Sequence, residues 1–199
     1  MSKKESVYEI RFHGRGGQGV VLASVVLAKA FFAEGGFVQA FPSFGAERRG
    51  APVTAFARIS DKKIRERFGI YHPACLIVLE PSLVRREDTI AGLKPKGLIV
   101  LNSPDDAQGY ESLASFRVAT VEANAIARKY RLGSPSMPIV NTTMLGAFAA
   151  ASGKVSIDSV VRAIQEELSA EAERNVDAAM DAYSSVKKGS MAGVAREVP

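Results

Sequence analysis

The sequence predicts a single α/β domain: a three-layer, Rossmann-like body with a mostly parallel sheet, an antiparallel excursion and a helical C-terminal third. Three observations predict it. First, alternating residues 7–13 run into Gly14-Arg15-Gly16-Gly17-Gln18-Gly19 and then into an apolar stretch, residues 20–32, whose Val20, Val21, Ala23, Ser24, Leu27, Ala28 and Phe31 recur at helical spacing. Second, Ala74-Cys75-Leu76-Ile77-Val78-Leu79-Glu80 and Gly97-Leu98-Ile99-Val100-Leu101-Asn102 are near-continuous apolar runs, as in parallel strands buried on both faces. Third, the chain from Asn141 onward reads as helix after helix, with Val160, Val161, Ile164 and Leu168 on one face of a helix opened by Ser156.

The remaining elements follow in order. Glu34-Gly35-Gly36 is a glycine stop after the first helix. A second strand covers residues 36–41, a loop residues 42–52 and a third strand residues 53–60, a strand–loop–strand pair that makes the antiparallel excursion. Asp61-Lys62-Lys63 is a polar turn, and Ile64 resumes a short edge segment. Pro81-Ser82 opens a helix to about Ala91, with proline in the tolerated first turn. Residues 116–121 form a further strand, 122–130 a short helix, 133–138 a loop, 141–151 a buried helix and 170–186 the last helix. The domain is expected to occupy residues 1–186, and residues 187–199 to be a C-terminal tail.

The bulk numbers narrow the function. A chain of 199 residues, 47% hydrophobic and 24% charged, suits one soluble domain with a real core. The net charge of +5 fits an acidic partner or an anionic ligand, but no Lys/Arg run interleaved with aromatics argues for nucleic acid. One cysteine, Cys75, and two histidines, His13 and His72, cannot build a disulfide framework, a cysteine-rich zinc site or a self-contained iron–sulfur cluster. Residues 1–5 carry no apolar signal region and no stretch has the length of a membrane span, so the expected compartment is the cytoplasm.

Two stretches carry the chemistry. Gly14, Gly16 and Gly19 match G-x-G-x-x-G, where glycine permits a sharp reversal, close approach of backbone to a ligand, and close packing of helix on strand. The helix start behind them offers free N–H groups to a phosphate or carboxylate. A dinucleotide reading also expects an acid ending the second strand, and here that strand ends in Pro42-Ser43. The bland reading is that the glycines only allow close packing. The second stretch, residues 42–52, sets Glu47, Arg48 and Arg49 between Gly45 and Gly50, with Ser43 just before. Arginine is a planar fork for carboxylate or phosphate, and the bland reading is a solvated turn. The loop should lie near the glycine turn, because both follow strands that open the sheet. Asn141 reads first as a helix N-cap, Cys75 as a core residue, and His13 as structural. No catalytic set or metal site can be nominated; Glu47 is the only acid in a suggestive place.

These stretches resemble the gamma subunit, or gamma domain, of the 2-oxoacid:acceptor oxidoreductases, the pyruvate:ferredoxin oxidoreductase family. The resemblance is carried by Gly14-Arg15-Gly16-Gly17-Gln18-Gly19, by Pro42-Ser43-Phe44-Gly45-Ala46-Glu47-Arg48-Arg49-Gly50, by Asn141 with Leu145-Gly146, by Leu76-Ile77-Val78-Leu79-Glu80-Pro81 and by Glu173-Arg174-Asn175. It extends to about Val186. Phe44, where the family often has tyrosine, and Ala51, where a second glycine is common, are small departures.

The resemblance implies a holoenzyme that converts a 2-oxoacid, coenzyme A and an oxidised acceptor to acyl-CoA, carbon dioxide and reduced acceptor, most simply of the pyruvate:ferredoxin type. Thiamine diphosphate, Mg2+ and [4Fe-4S] clusters would sit on the other subunits, of alpha, beta and delta (ferredoxin-like) type. This chain would dock against them without being catalytic alone and would help to hold coenzyme A. The residues implied for coenzyme A or the subunit interface are Gly14, Arg15, Gly16, Gly17, Gln18, Gly19, Ser43, Gly45, Glu47, Arg48, Arg49, Gly50 and Asn141, with Arg15, Arg48 and Arg49 as the anion contacts. Two alternatives stand beside it: a gamma subunit for an aryl or branched-chain 2-oxoacid with NAD as final acceptor, and a stand-alone nucleotide-binding oxidoreductase.

Overall fold

The structure, a computed structural model, describes residues 7–43 and 50–189. Its centre is a seven-stranded sheet in the order β2-β3-β1-β4-β5-β6-β9. The strands are β1 (Tyr8–Arg15), β2 (Phe37–Pro42), β3 (Pro52–Ser60), β4 (Cys75–Val78), β5 (Leu98–Asn102), β6 (Arg117–Val121) and β9 (Lys187–Lys188). Strands β1, β4, β5 and β6 run parallel, whereas β3 is antiparallel to both β1 and β2. The antiparallel excursion is therefore present, inserted between β2 and β1 rather than appended at an edge.

Period-2 alternation decides what each face buries. Ile10 and Phe12 of β1 and Ala55, Ala57 and Ile59 of β3 enter the main core, while Arg11, His13, Phe56 and Arg58 point the other way. The main core is closed by α1 (Val20–Ala33), α3 (Ala123–Lys129), α4 (Asn141–Ser152), α5 (Ile157–Leu168) and α6 (Ala172–Ser185). Helix α4 is buried on nearly every side, which explains its all-round Ala, Leu and Met composition. Gly146 makes this possible, because a methyl group there would collide with the carbonyl of Ala179 on α6.

The third layer is thin. Leu76, Val78, Ile99 and Leu101 are covered by Leu83, Val84 and Leu113 from 3-10 turns and by Leu93 from the loop after the four-residue helix α2 (Glu87–Ile90). The helix expected over residues 82–91 is thus split. Residues Pro81–Arg85 form a 3-10 turn, and Arg86 is extended (φ −87, ψ 131). Arg11 fixes the end of this segment: its guanidinium donates at 2.8 Å to the carbonyls of both Thr89 and Ala91, which a helix ending there leaves without an intrahelical partner. The edge segment expected at Ile64 is irregular, because Arg58 draws the following chain down onto the sheet.

Two further expectations are corrected at the ends of elements. The loop expected at 133–138 contains a minimal hairpin, β7 (Gly133–Ser134) with β8 (Met137–Pro138). The tail expected from residue 187 begins inside the sheet: Lys187 and Lys188 pair with Thr120 and Ala119, and the Lys187 ammonium meets Asp106 at 2.7 Å. The open edge of β6 offers backbone groups that the chain satisfies as it leaves α6.

Candidate ligand rim at the carboxyl edge of the sheet

Strand β1 runs two residues further than the alternation suggests, because Gly14 and Arg15 pair with Val53 and Pro52 of β3. The returning end of the arginine loop is then latched to the glycine turn. Gly16 donates its N–H to Ala51 at 2.9 Å, Gly50 donates to Gly16 at 3.3 Å, and Arg15 Nη1 donates to the Gly50 carbonyl at 3.0 Å. The proximity expected between the two stretches is found. Gly45, Glu47, Arg48 and Arg49 lie outside the described residues. Ser43, the last residue before them, donates its N–H to Thr54 at 2.9 Å.

A closed ring of hydrogen bonds holds the rim. Arg15 Nη2 donates to Ser82 Oγ at 3.1 Å, and Ser82 Oγ donates to Glu80 Oε1 at 2.9 Å. Gln18 Nε2 donates to Glu80 Oε2 at 3.0 Å, and Gln18 Oε1 accepts the Arg15 N–H at 2.8 Å. Glu80 sits just beyond β4, and Pro81 behind it turns the chain so that Ser82 faces the same carboxylate. Arginine is thereby oriented without an ion pair to any described residue, and its charge is left to the rim. Glu80 and Ser82 were not among the residues nominated for the rim. The signal for them was an acid ending an apolar strand at the edge where α/β sheets bind ligands.

Behind the ring, two helices begin at one place. Gly19 caps α1 in the left-handed region (φ +75), with no side-chain cap and no acid in the first turn. Asn141, 3% exposed, opens α4 against it, and a Cβ on Gly19 would collide with Asn141 Nδ2. Asn141 was expected as an N-cap. Val140 holds that position instead, because its carbonyl accepts the Met144 N–H that closes the first turn. Asn141 Oδ1 accepts the next N–H, that of Thr142, at 2.8 Å, which leaves Nδ2 without a partner among the described residues. Two helix starts and a spare amide N–H give this end a positive character. Gly14 serves packing: a Cβ there would lie 2.6 Å from Val20 and 2.9 Å from Gln18 Oε1.

His13 is structural toward its neighbours. Its Nε2 accepts from Arg11 Nε at 2.9 Å, and burial together with the Arg11 charge pushes its pKa down to about 3. Cys75 is fully buried, and burial pushes its thiol above the usual range. No group of three or more His, Cys, Asp or Glu side chains suited to a metal occurs among the described residues.

Comparison with known proteins decides the family. The model of "Pyruvate ferredoxin/flavodoxin oxidoreductase" matches residues 9–185. The chain belongs to this family. Its gamma-type identity rests on relatives along nearly the whole length. The pyruvate synthase subunit PorC of Methanothermobacter thermautotrophicus is 49% identical over 181 residues, 90% of this chain and 96% of the relative. The pyruvate/ketoisovalerate oxidoreductases common subunit gamma of Pyrococcus abyssi is 48% identical over 181 residues, 88% of this chain and 95% of the relative. The crystal structure of the pyruvate oxidoreductase subunit PORC of Thermotoga maritima superposes with a TM-score of 0.80 at 31% identity, covering 94% of this chain and 100% of that one. This gamma-type chain is therefore a subunit of an oxidoreductase of the pyruvate/2-oxoacid ferredoxin class. None of its helices is long and apolar enough to cross a membrane among the described residues.

Proposed function

We propose that this gamma-type chain serves a thiamine-diphosphate-dependent oxidoreductase that converts pyruvate, coenzyme A and oxidised ferredoxin to acetyl-CoA, carbon dioxide and reduced ferredoxin. In that complex it docks against alpha-, beta- and delta-type subunits in the cytoplasm, and its rim holds an anionic part of coenzyme A. The supporting observations are the convergence of the α1 and α4 starts, with Asn141 Nδ2 unpartnered among the described residues, and Arg15 held at the same edge of the sheet by Gln18, Glu80 and Ser82. Such an end stabilises phosphate by oriented N–H groups and by charge together. The donor set of this chain does not fit an iron–sulfur cluster: its one cysteine is sealed inside β4. Electron transfer is accordingly assigned to sister subunits.

The test is charge reversal in the assembled complex. Arg15→Glu, and Arg49→Glu in parallel, should raise the apparent KM for coenzyme A at least tenfold while the subunits still co-purify. Loss of a hydrogen bond to a charged group costs about 1.5–3 kcal/mol, which corresponds to that range. Loss of assembly would make these arginines docking residues, and unchanged KM and assembly would refute the reading.

A second reading has a specific basis. The Pyrococcus abyssi relative is named as common to pyruvate and ketoisovalerate oxidoreductases. On that reading this chain is shared with a branched-chain enzyme, and two sets of companions would co-purify with it.

A further inference from the structure

The opposite face of the sheet carries a cleft that shares only Ser43 with the residues nominated for the rim. Its volume is about 560 Å³, within the range of small-molecule sites. Phe41 and Phe56, cross-strand partners on β2 and β3 with centroids 5.2 Å apart, form one wall. Phe68 and Tyr71 form the other, and they are 61% and 68% exposed. Large aromatics left this open on an irregular segment are costly unless something covers them. Phe68 is also held in place. Arg58, fully buried, donates to the Phe68 carbonyl at 2.6 Å and lies 5.2 Å from the Phe68 ring.

The floor is polar and directional. His13 is 8% exposed, and its Nε2 accepts from Arg11, so the ring proton is on Nδ1. That N–H has no partner among the described residues. Thr54, directly across from His13 in the β1–β3 ladder, lines the same cleft, and its hydroxyl has no partner among them either. Arg11 brings positive charge to the floor, with Nε committed to His13 and Nη2 to Thr89 and Ala91. Arg67 and Asp88 stand at the margin with opposite charges.

We propose that this cleft binds an uncharged purine ring, stacked between the aromatic walls with its acceptor edge on His13 Nδ1–H and Thr54. The burial that keeps His13 neutral agrees with a donor rather than a charged contact. A phosphate by itself would leave the aromatic walls uncovered, and an aliphatic group leaves two donors unsatisfied. The inference goes beyond the proposed function, since the cleft and α1 lie on different faces of the sheet. The ring can come from the base of coenzyme A or from a free nucleotide.

The assembled complex, probed by equilibrium dialysis with adenosine, AMP and coenzyme A, tests it. Adenosine should bind, and Tyr71→Ala and Phe68→Ala should each weaken it by about fivefold or more, the usual effect of removing an aromatic from a base stack. If the base is that of coenzyme A, adenosine competes with coenzyme A. If the source is a free nucleotide, AMP binds alongside it. Hydrogen exchange over residues 66–71 reads whether Phe68→Ala has merely released that segment, and Tyr71→Ala, whose ring is not held by Arg58, then decides. No binding of any probe at millimolar concentration, affinities unchanged in Tyr71→Ala, or dissociation of the complex by Tyr71→Ala would overturn the proposal, the last by making the cleft a subunit contact.

Discussion

Gly19 and Asn141 meet with no room for a methyl group between them, and this contact is what brings the starts of α1 and α4 together. Gly19 is also in the left-handed region, at φ +75, where an L side chain costs about 1 kcal/mol or more. Gly19→Ala should therefore lower stability by roughly 2 kcal/mol, a fall in Tm of about 4–8 °C for a chain of this size. Asn141→Ala in the same chain should recover the steric part but not the backbone part. A thermal-denaturation cycle over the four variants measures that coupling, and strict additivity would contradict the contact.

Arg58 is the largest fully buried side chain, and it ties three elements at once. Its Nε meets Glu9 at 3.0 Å, Nη1 donates to Gln39 at 3.3 Å and Nη2 donates to Phe68 at 2.6 Å. Arg58→Leu leaves Glu9 without its main partner, and breaking a buried pair typically costs about 3–5 kcal/mol. Hydrogen exchange over residues 66–71 should accelerate in the variant more than exchange in β4 or β5. Uniform acceleration would show that Arg58 stabilises the sheet generally rather than anchoring that segment.

His13 sets an acid limit on stability. Burial first, and the Arg11 charge second, hold its pKa near 3 in the folded chain against 6.5 in the unfolded one, with Asp88 opposing. The unfolded state therefore binds the extra proton between those values. Stability is full above about pH 6.5 and is lost as the pH falls toward 3, with a slope of up to about 1.4 kcal/mol per pH unit. His13→Gln should flatten this part of the urea-denaturation profile, whereas parallel profiles would contradict the assignment.

Thr143, in the middle of the packed face of α4, carries a buried hydroxyl with no hydrogen-bond partner among the described residues. Burying such a group unsatisfied costs about 1–3 kcal/mol. Thr143→Val keeps the shape and removes the penalty, so its Tm should equal or exceed that of the parent chain. A clear fall in Tm would show that the hydroxyl is satisfied in solution.

Strands β1 to β6, the glycine turn and most helices were legible because their signals are local: alternation, apolar runs and glycine stops. The split near Arg86 was not, since no local signal marks it, and the tie that fixes the turn after it comes from Arg11, some 75 positions earlier, on the Thr89 and Ala91 carbonyls. Placement of β3 between β2 and β1 was equally hidden, because pairing order is a long-range choice that alternation does not encode. At the rim, glycines, Arg15 and Asn141 could be nominated from motif and resemblance. Glu80 and Ser82 were not: the acid ending β4 was visible in the sequence, but only the fold carries it and Ser82 to Arg15 and Gln18. Asn141 illustrates the limit well: its residue type suggested a cap, and only the geometry shows an amide left over beside Gly19.

The measurement closest to the central claim is recovery of this chain, tagged, from its own cells, with its companions identified and their activity assayed under anaerobic conditions. The account predicts thiamine- and cluster-bearing companions, and reduction of ferredoxin that requires both pyruvate and coenzyme A. Recovery of the chain without companions, or oxidation of a metabolite by the chain alone, would contradict it.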